Sequence, residues 1–380
     1  MPTSLPCPAG QRELLDVLVI GAGQAGLALG HHLAARGANS LLVDAAPEIG
    51  HSWRSRWDSL RLFSPAQYDS LPGLPFPAPV DSHPSKDDVA DYLAAYAAHF
   101  ALPVRLATPV LRLHRDPDGT FAATTPTGTL RARQVVVATG PFQTPHVPAL
   151  GDRLDPGVPQ LHSAEYRNPT QLPGGGRVLV VGAANSGLQI AAELAAAQPV
   201  TVAVGTRPTE LPQRIAGRDL FFWLTRSGFF TVPAHTRIAR RLRARGDIII
   251  GTRSGTLRRR GIDFRPRLLD LTGRTATFAD GSTVDVGAVV WATGYRPDYA
   301  WLHLPGVVVD GQVRHTGGTT AVPGLHFLGL PWQTCRGSAL LGFVGADAEA
   351  LAARLTADAA GPQQRTAPGP EAATPVVLPV

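Results

Sequence analysis

Two apolar runs in this chain empty directly into glycine-rich turns. Leu14-Leu15-Asp16-Val17-Leu18-Val19-Ile20 leads into Gly21-Ala22-Gly23-Gln24-Ala25-Gly26, and Arg177-Val178-Leu179-Val180-Val181 leads into Gly182-Ala183-Ala184-Asn185-Ser186-Gly187. Each predicts a buried strand turning sharply into a helix. The first helix reads as Leu27 to Arg36, ended by Gly37, with Ser40-Leu41-Leu42-Val43 as the next strand. The second runs from Asn185 to Ala197, followed by a strand over Val200 to Val204. Two more wholly apolar runs, Val135-Val136-Val137 and Val289-Val290-Trp291, end in Ala138-Thr139-Gly140 and Ala292-Thr293-Gly294. Such small-residue turns let chain pass close to a bound group.

Between these landmarks the pattern changes period. A helix is predicted near Ser85 to Phe100, with Ser85 and Asp88 spaced as a capping box. Three alternating segments follow, around Val110–His114, Thr120–Thr124 and Thr129–Arg133, with Asp118-Gly119 as a hairpin signal. They predict a small meander.

The glycine turns carry the chemistry. Backbone N–H groups at a helix start, aided by the helix dipole, face a pyrophosphate. Gly21 permits the tight turn, Gly23 admits the phosphates and Gly26 lets helix pack on strand, while Gln24 and Ala25 supply N–H groups. Asp44 ends the following strand, where an acid accepts hydrogen bonds from an adenosine ribose. That site reads as FAD. In the second loop Ala184 replaces the middle glycine, Asn185 and Ser186 open the helix, and the next strand ends in Gly205-Thr206-Arg207. An acid there would repel a 2′-phosphate, whereas arginine grips one with a charge-assisted pair. The second site therefore reads as NADPH.

These elements predict an α/β chain with two Rossmann-like dinucleotide-binding domains, the NADPH domain inserted into a discontinuous FAD domain. The boundaries expected are 1–150 and 288–360 for the FAD domain, 151–287 for the NADPH domain, and 361–380 as a disordered Ala- and Pro-rich tail.

Composition narrows the alternatives. No apolar run has membrane length, and prolines in the first ten residues exclude the apolar core of a signal peptide; a cytoplasmic enzyme is expected. The only cysteines are Cys7 and Cys335, so no Cys-x-x-Cys dithiol exists. A net charge of +6 raises nucleic acid as a partner, but Lys86 is the sole lysine and the densest basic run, Arg237 to Arg267 with eleven arginines, has only Phe264 as an aromatic and is not interleaved with stacking residues. A solvated face, or a field attracting NADPH phosphates, fits better. Leu220-Phe221-Phe222-Trp223-Leu224 and Phe229-Phe230 read as packing for an insertion in preference to a substrate channel.

On both glycine loops, both Ala-Thr-Gly turns, Gly50-His51-Ser52-Trp53-Arg54, Leu62-Phe63-Ser64-Pro65-Ala66-Gln67-Tyr68 and Leu161-His162-Ser163-Ala164-Glu165-Tyr166, the chain resembles bacterial flavin-containing monooxygenases of the short, soluble type. The resemblance runs from Leu14 to about Leu355. Of the family's linker pattern Phe-x-Gly-x-x-x-His-x-x-x-Tyr, His162 and Tyr166 match, while Pro156 and Val158 stand at the Phe and Gly positions. Tyr166 favours heteroatom oxygenation over the Baeyer–Villiger relatives, which close with Trp-Pro. The family's asparagine near the flavin is replaced by Phe63-Ser64, and Gly329-Leu330-Pro331-Trp332 lacks the usual acid after the glycine.

The resemblance implies that NADPH reduces the flavin, that oxygen adds at flavin C(4a), and that its distal atom passes to a nucleophilic nitrogen or sulfur of a small molecule. It implies contacts to the cofactors from Ser52, Trp53, Arg54, Thr139, Gly140, Thr293, Gly294 and Ser338, and a catalytic surround of Arg54, Ser64 and Gln67. The C-terminal helix, expected over Ala339–Leu355, points its positive end towards reduced flavin. Small-molecule substrate and molecular oxygen are the partners expected, with neither nucleic acid nor membrane, and a homodimer is left open. The rival readings are an NADPH oxidase or reductase without oxygen insertion, Baeyer–Villiger oxygenation, and a non-catalytic flavin-binding module.

Overall fold

The computed structural model describes residues 14–244, 246 and 248–359. Cys7, the start of the chain and the proposed disordered tail from 361 lie outside them. Leu15–Ile20 is the centre of a seven-stranded sheet, flanked in parallel by Ser40–Val43 and by Gly128–Val137. Val104–Arg105 extends the sheet beyond Ser40–Val43, and Leu325–Phe327 pairs in parallel with Val135–Val137. Arg112–Arg115 and Phe121–Thr125 add the antiparallel meander. Thr129–Arg133 and Val135–Val137 are a single ten-residue strand, whose first half belongs to the meander and whose second half belongs to the parallel sheet.

The second sheet is wholly parallel, in the spatial order Asp263–Arg265, Val200–Ala203, Val178–Val181, Ala288–Trp291, Gln160–His162. The chain therefore does not return to the first domain at the expected residue 288. Ala288–Trp291 is fully buried between two strands of the second sheet. The chain crosses back only after Gly294, where Tyr295–Arg296 pairs antiparallel with the outbound Thr144–Pro145.

Helix Gln24–Ala35 packs against the C-terminal helix Gly345–Ala359, covering one face of the first sheet. Ser85 caps Lys86–His99 as the capping box predicts, with its hydroxyl accepting from Asp88 N–H and its own N–H donating to the Asp88 carboxylate. The helix after the second loop stops at Leu194, three residues short of Ala197. The C-terminal helix starts at Gly345, not Ala339, and continues through Thr356. Its late start has a steric cause: a Cβ at Gly342 would lie 1.9 Å from the Tyr68 carbonyl oxygen, so residues 339–344 pass as turns against the 68–69 backbone.

Candidate functional site

The two glycine loops are built alike, contact for contact. Gly21 and Gly182 adopt φ of +109° and +114°, a region that costs glycine little. A Cβ on Gly21 would stand 2.5 Å from the Ala138 carbonyl oxygen, and one on Gly182 would stand 2.3 Å from that of Ala292. Each loop thus rests on the Ala-Thr-Gly turn of its own sheet. Cβ atoms on Gly26 and Gly187 would lie 1.9 Å and 2.0 Å from the carbonyls of Gly21 and Gly182, so helix and turn approach as closely as backbone allows. A Cβ on Gly23, by contrast, would meet nothing within 4 Å. Open space above the middle glycine, beside helix N–H groups lacking intrahelical partners, is the shape a pyrophosphate needs.

The strand ends separate the two sites. Asp44 accepts from Ala22 N–H at 2.7 Å and from Ala46 N–H at 2.8 Å, which fixes its carboxylate beside the first loop. At the matching place in the second domain Gly205, Thr206 and Arg207 are exposed, and a carboxylate is absent from that tripeptide.

The two Ala-Thr-Gly turns meet across the domain boundary. Gln143 donates to the Thr139 hydroxyl and the Gly140 carbonyl, both at 2.8 Å, and accepts from Asp298 N–H. The Thr293 hydroxyl donates to the His146 carbonyl, whose own N–H bonds Gly294 oxygen at 3.0 Å. His162 is buried; its Nδ1 accepts from Ala164 N–H, so Nε2–H is the donor to Gly294 oxygen at 3.0 Å. Burial lowers its pKa, offset in part by that bond, which favours the neutral ring. Tyr166 is fully buried and donates to Glu193 on helix Asn185–Leu194 at 2.9 Å, with burial raising its pKa. The linker pair therefore fastens the linker to the second domain's own turn and helix.

A family model described as pyridine nucleotide-disulphide oxidoreductase matches residues 18–217. The chain belongs to this family. It is 43% identical over 342 residues to an uncharacterized CzcO-like oxidoreductase of Geobacillus kaustophilus, covering 90% of this chain and 98% of that one. A solved flavin-containing monooxygenase from Stenotrophomonas maltophilia superposes with a TM-score of 0.78 at 30% identity, over 91% of this chain and 99% of that one. An indole-3-pyruvate monooxygenase of Oryza sativa is 29% identical over 92% of this chain and 91% of its own length. The chain is thus an oxidoreductase enzyme of the flavin monooxygenase type, with the two-domain fold of that group. No helix among the described residues is long and apolar enough to cross a membrane.

Within this oxidoreductase the three residues expected to surround the chemistry part company. Arg54 is held by carboxylates: Asp91 at 2.8 Å, Glu48 at 3.3 Å and Asp87 at 3.8 Å. Its guanidinium braces helix Lys86–His99. Gln67 is exposed and exchanges two 2.9 Å hydrogen bonds with Asp81. Only Ser64 is buried, and its hydroxyl donates to Asp69 at 2.6 Å. Ser52 is exposed, and Trp53 packs half-buried against the first core. Ser338 is fully buried, its hydroxyl accepting from Thr334 and Cys335 N–H at 3.1 Å, so it closes its own loop.

Two residues were not anticipated. Asp69 is 2% exposed, and its second oxygen, Oδ2, has no partner among the described residues. Burial pushes its pKa up to about 7, against the opposing pull of Ser64. Arg56 donates to the Tyr295 hydroxyl and lies over the rings of Tyr295 and Phe142, joining the segments that follow the two Ala-Thr-Gly turns. Neither stands in a motif.

The aromatics of the 207–267 segment pack, as expected, but their partners outside it are Phe63, Tyr68, Leu340 and Phe343 of the first domain, where the second domain was expected. Leu220, Phe221 and Phe230 are buried with Ile250 against Phe63, Tyr68, Leu340 and Phe343. Gln213 donates to the Phe63 carbonyl at 3.0 Å and to Asp219 at 2.7 Å. Gly337 N–H bonds Phe230 oxygen and Ala234 N–H bonds Thr334 oxygen. The insertion is thereby fastened over the Ser64 loop and the C-terminal return.

Proposed function

We propose that the chain is an FAD-dependent, NADPH-consuming monooxygenase that oxygenates a nucleophilic sulfur or nitrogen atom of a small molecule. The observation that carries this is the asymmetry between two otherwise matching loops. Asp44 stands fixed where a ribose hydroxyl needs an acceptor, and exposed Arg207 stands where a 2′-phosphate needs a cation. FAD goes to the loop at Gly21–Gly26 and NADPH to that at Gly182–Gly187. The open space above Gly23 fits the FAD pyrophosphate.

Bound flavin, reduced by NADPH, supplies the oxygen-activating chemistry. The chain's own residues bind, orient and shield. The turns at Thr139-Gly140 and Thr293-Gly294, clamped by Gln143, His146 and His162, hold the two cofactor sites in one register. The aromatic insertion covers Phe63 and Tyr68 on either side of Ser64, which excludes water there. Ser64 and Asp69 hold a proton near neutral pH: Ser64 donates to Oδ1, so the acid form carries its proton on the unpartnered Oδ2. We assign this pair, in place of Arg54 and Gln67, as the polar group of the reaction chamber. Heteroatom oxygenation is favoured by Tyr166, which ties the linker to the NADPH-domain helix through Glu193. Two cysteines and no expected disulfide suit a cytoplasmic setting.

One specific observation favours a second reading, an NADPH oxidase. Phe63-Ser64 stand where the resemblance expects a neutral amide donor, and the Ser64 hydroxyl donates instead to Asp69, so that oxygen is released as peroxide. Mixing the purified flavoprotein with NADPH under anaerobic conditions, then adding oxygen with or without methyl phenyl sulfide, separates the readings. Sulfoxide formed with NADPH consumption supports the proposal; peroxide alone supports the oxidase.

A further inference from the structure

We infer that Arg56 is a positioning residue for hydride transfer: its guanidinium, held on Tyr295 and Phe142, sets the angle between the two sheets and thereby how the nicotinamide meets the flavin. In that step the C4–H bond of NADPH breaks, its hydrogen and electron pair form an N5–H bond on the flavin, and NADP+ is left. The step is the same whether oxygen is then inserted or released, so the role of Arg56 is independent of the monooxygenase reading.

The chain passes between the sheets twice, and the two passages form a very short ribbon. Tyr295–Arg296 pairs with Thr144–Pro145 over two residues, and Tyr295 stands opposite Pro145, which has no N–H to give. The bonds of Gln143, His146 and Thr293 join the passages to one another and to their own turns. A two-stranded ribbon fastened in this way can still twist as a unit.

Arg56 comes to the ribbon from outside it. Its segment belongs to the first domain: a Cβ on Gly50 would stand 2.7 Å from the Ala90 backbone, and Arg54 donates to Asp91 on the same helix. Arg56 Nε donates to the Ser52 carbonyl at 3.0 Å, which fixes the side chain on its own segment. The guanidinium also donates to the Tyr295 hydroxyl and lies 5.2 Å from the Tyr295 ring centroid and 5.7 Å from that of Phe142. Tyr295 directly follows Gly294, and its ring meets His162 edge-on at 5.1 Å, which seats it on the second sheet. Phe142 stands two residues after Gly140, and its ring meets Tyr295 at 5.4 Å. One half-buried cation thus touches residues beside both small-residue turns. A planar fork can donate and stack at once, which an ammonium cannot.

The same segment is attached a second time two residues later. Asp58 accepts from Asn168 Nδ2 at 2.8 Å and donates its N–H to the Arg167 carbonyl at 2.7 Å, on the linker that leaves the second sheet. The segment also carries Ser52 and Trp53, the flavin contacts that the resemblance implies. A shift of Arg56 is therefore a shift of one cofactor's surround against the other's. Transfer needs reacting atoms about 3–3.5 Å apart, and a misplacement of about 1 Å costs about a hundredfold.

Anaerobic stopped flow follows flavin absorbance over a range of NADPH concentrations, which separates the limiting rate of reduction from the dissociation constant. Arg56→Ala is expected to lower the limiting rate at least about tenfold, while flavin content and the NADPH dissociation constant stay within about twofold of wild type. Arg56→Lys, which can still donate to the Tyr295 hydroxyl, is expected to recover part of the rate. Tyr295→Phe keeps the ring and loses only the hydroxyl, so it tests the clamp even where Arg56→Ala is recovered poorly; a fall of at least about threefold is expected. Hydrogen exchange of the oxidised holoenzyme without NADPH gives a readout apart from turnover. Arg56→Ala is expected to exchange faster over residues 142–147 and 294–297 and as wild type over Val17–Ile20 and Val178–Val181. An unaltered limiting rate in Arg56→Ala overturns the inference, as does one in Tyr295→Phe. A rate loss accompanied by lost flavin, or by faster exchange throughout the chain, also overturns it, since Arg56 then serves folding alone. Wild-type flavin that NADPH fails to reduce overturns it together with the cofactor assignment. Sulfoxide yield plays no part in the decision, so failure of the monooxygenase reading leaves this test intact.

Discussion

Ser64 donates a 2.6 Å hydrogen bond to Asp69, and both residues are buried beneath the aromatic insertion. A carboxyl in such a place is held near the midpoint of its titration at neutral pH, its pKa pushed up to about 7 chiefly by burial. Small changes around it will alter how much negative charge the chamber holds.

Stability should report that titration. An unfolded aspartate ionises near pH 4, so between about pH 4 and 7 the folded chain keeps a proton that the unfolded chain has lost. Stability contributed by neutral Asp69 is complete below about pH 4 and is lost as pH rises through 7, at up to about 1.4 kcal/mol per unit. Asp69→Asn keeps an acceptor for Ser64 and removes the proton. Denaturant midpoints measured at pH 5 and pH 8 are expected to fall for wild type and to fall distinctly less for the variant. Parallel pH dependences would show that Asp69 is ionised throughout.

The glycine geometry separates binding from folding. A side chain at Gly23 meets open space in the protein, whereas one at Gly26 collides with the Gly21 carbonyl. Gly23→Val is therefore expected to fold with near wild-type stability but purify with little FAD. Gly26→Val is expected to be recovered poorly or not at all. Flavin absorbance per mole of protein, read beside a thermal melt, decides the matter; a fully yellow Gly23→Val protein would contradict the assignment of this loop.

Cofactor choice is assigned to Arg207. Removing a charge-assisted hydrogen bond of about 1.5–3 kcal/mol should lower kcat/KM for NADPH roughly ten- to a hundredfold. NADH lacks the 2′-phosphate, so its efficiency should hardly change. An Arg207→Ala enzyme that keeps its NADPH preference would shift the 2′-phosphate to other arginines of the insertion.

Ser64→Ala leaves the Asp69 oxygen Oδ1 without its donor and removes a hydroxyl from the chamber. The expected result is a several-fold rise in peroxide released per NADPH, with the rate of flavin reduction unchanged. A matching loss of reduction rate would instead indicate that Ser64 acts in placing the flavin or nicotinamide.

Both glycine loops were legible because their residues answer to local geometry. Gly21, Gly26, Gly182 and Gly187 stand where a Cβ would collide with backbone within a few residues or with the adjoining turn. Strand ends and helix starts were less legible because long-range contacts set them. The C-terminal helix begins at Gly345 because Gly342 must slide past Tyr68, over 270 positions earlier in the chain. Ala288–Trp291 looks like any buried apolar run, and only its pairing with Val178–Val181 places it in the second sheet. Asp69 was missed for the same reason. In Gln67-Tyr68-Asp69-Ser70 it reads as a turn residue, and its burial comes from the C-terminal return and the insertion. Arg56 becomes a domain-joining residue only once Phe142 and Tyr295 are brought to it by the two crossover segments.

The most direct test of the whole reading follows the fate of oxygen. Purified holoenzyme is given NADPH, methyl phenyl sulfide and ¹⁸O₂, and sulfoxide, peroxide and NADPH consumed are measured together. The account predicts sulfoxide carrying one ¹⁸O atom, formed in a fixed ratio to NADPH, with the remainder of the reducing equivalents recovered as peroxide. Rapid flavin reduction with all oxygen recovered as peroxide, and no labelled sulfoxide, would contradict it.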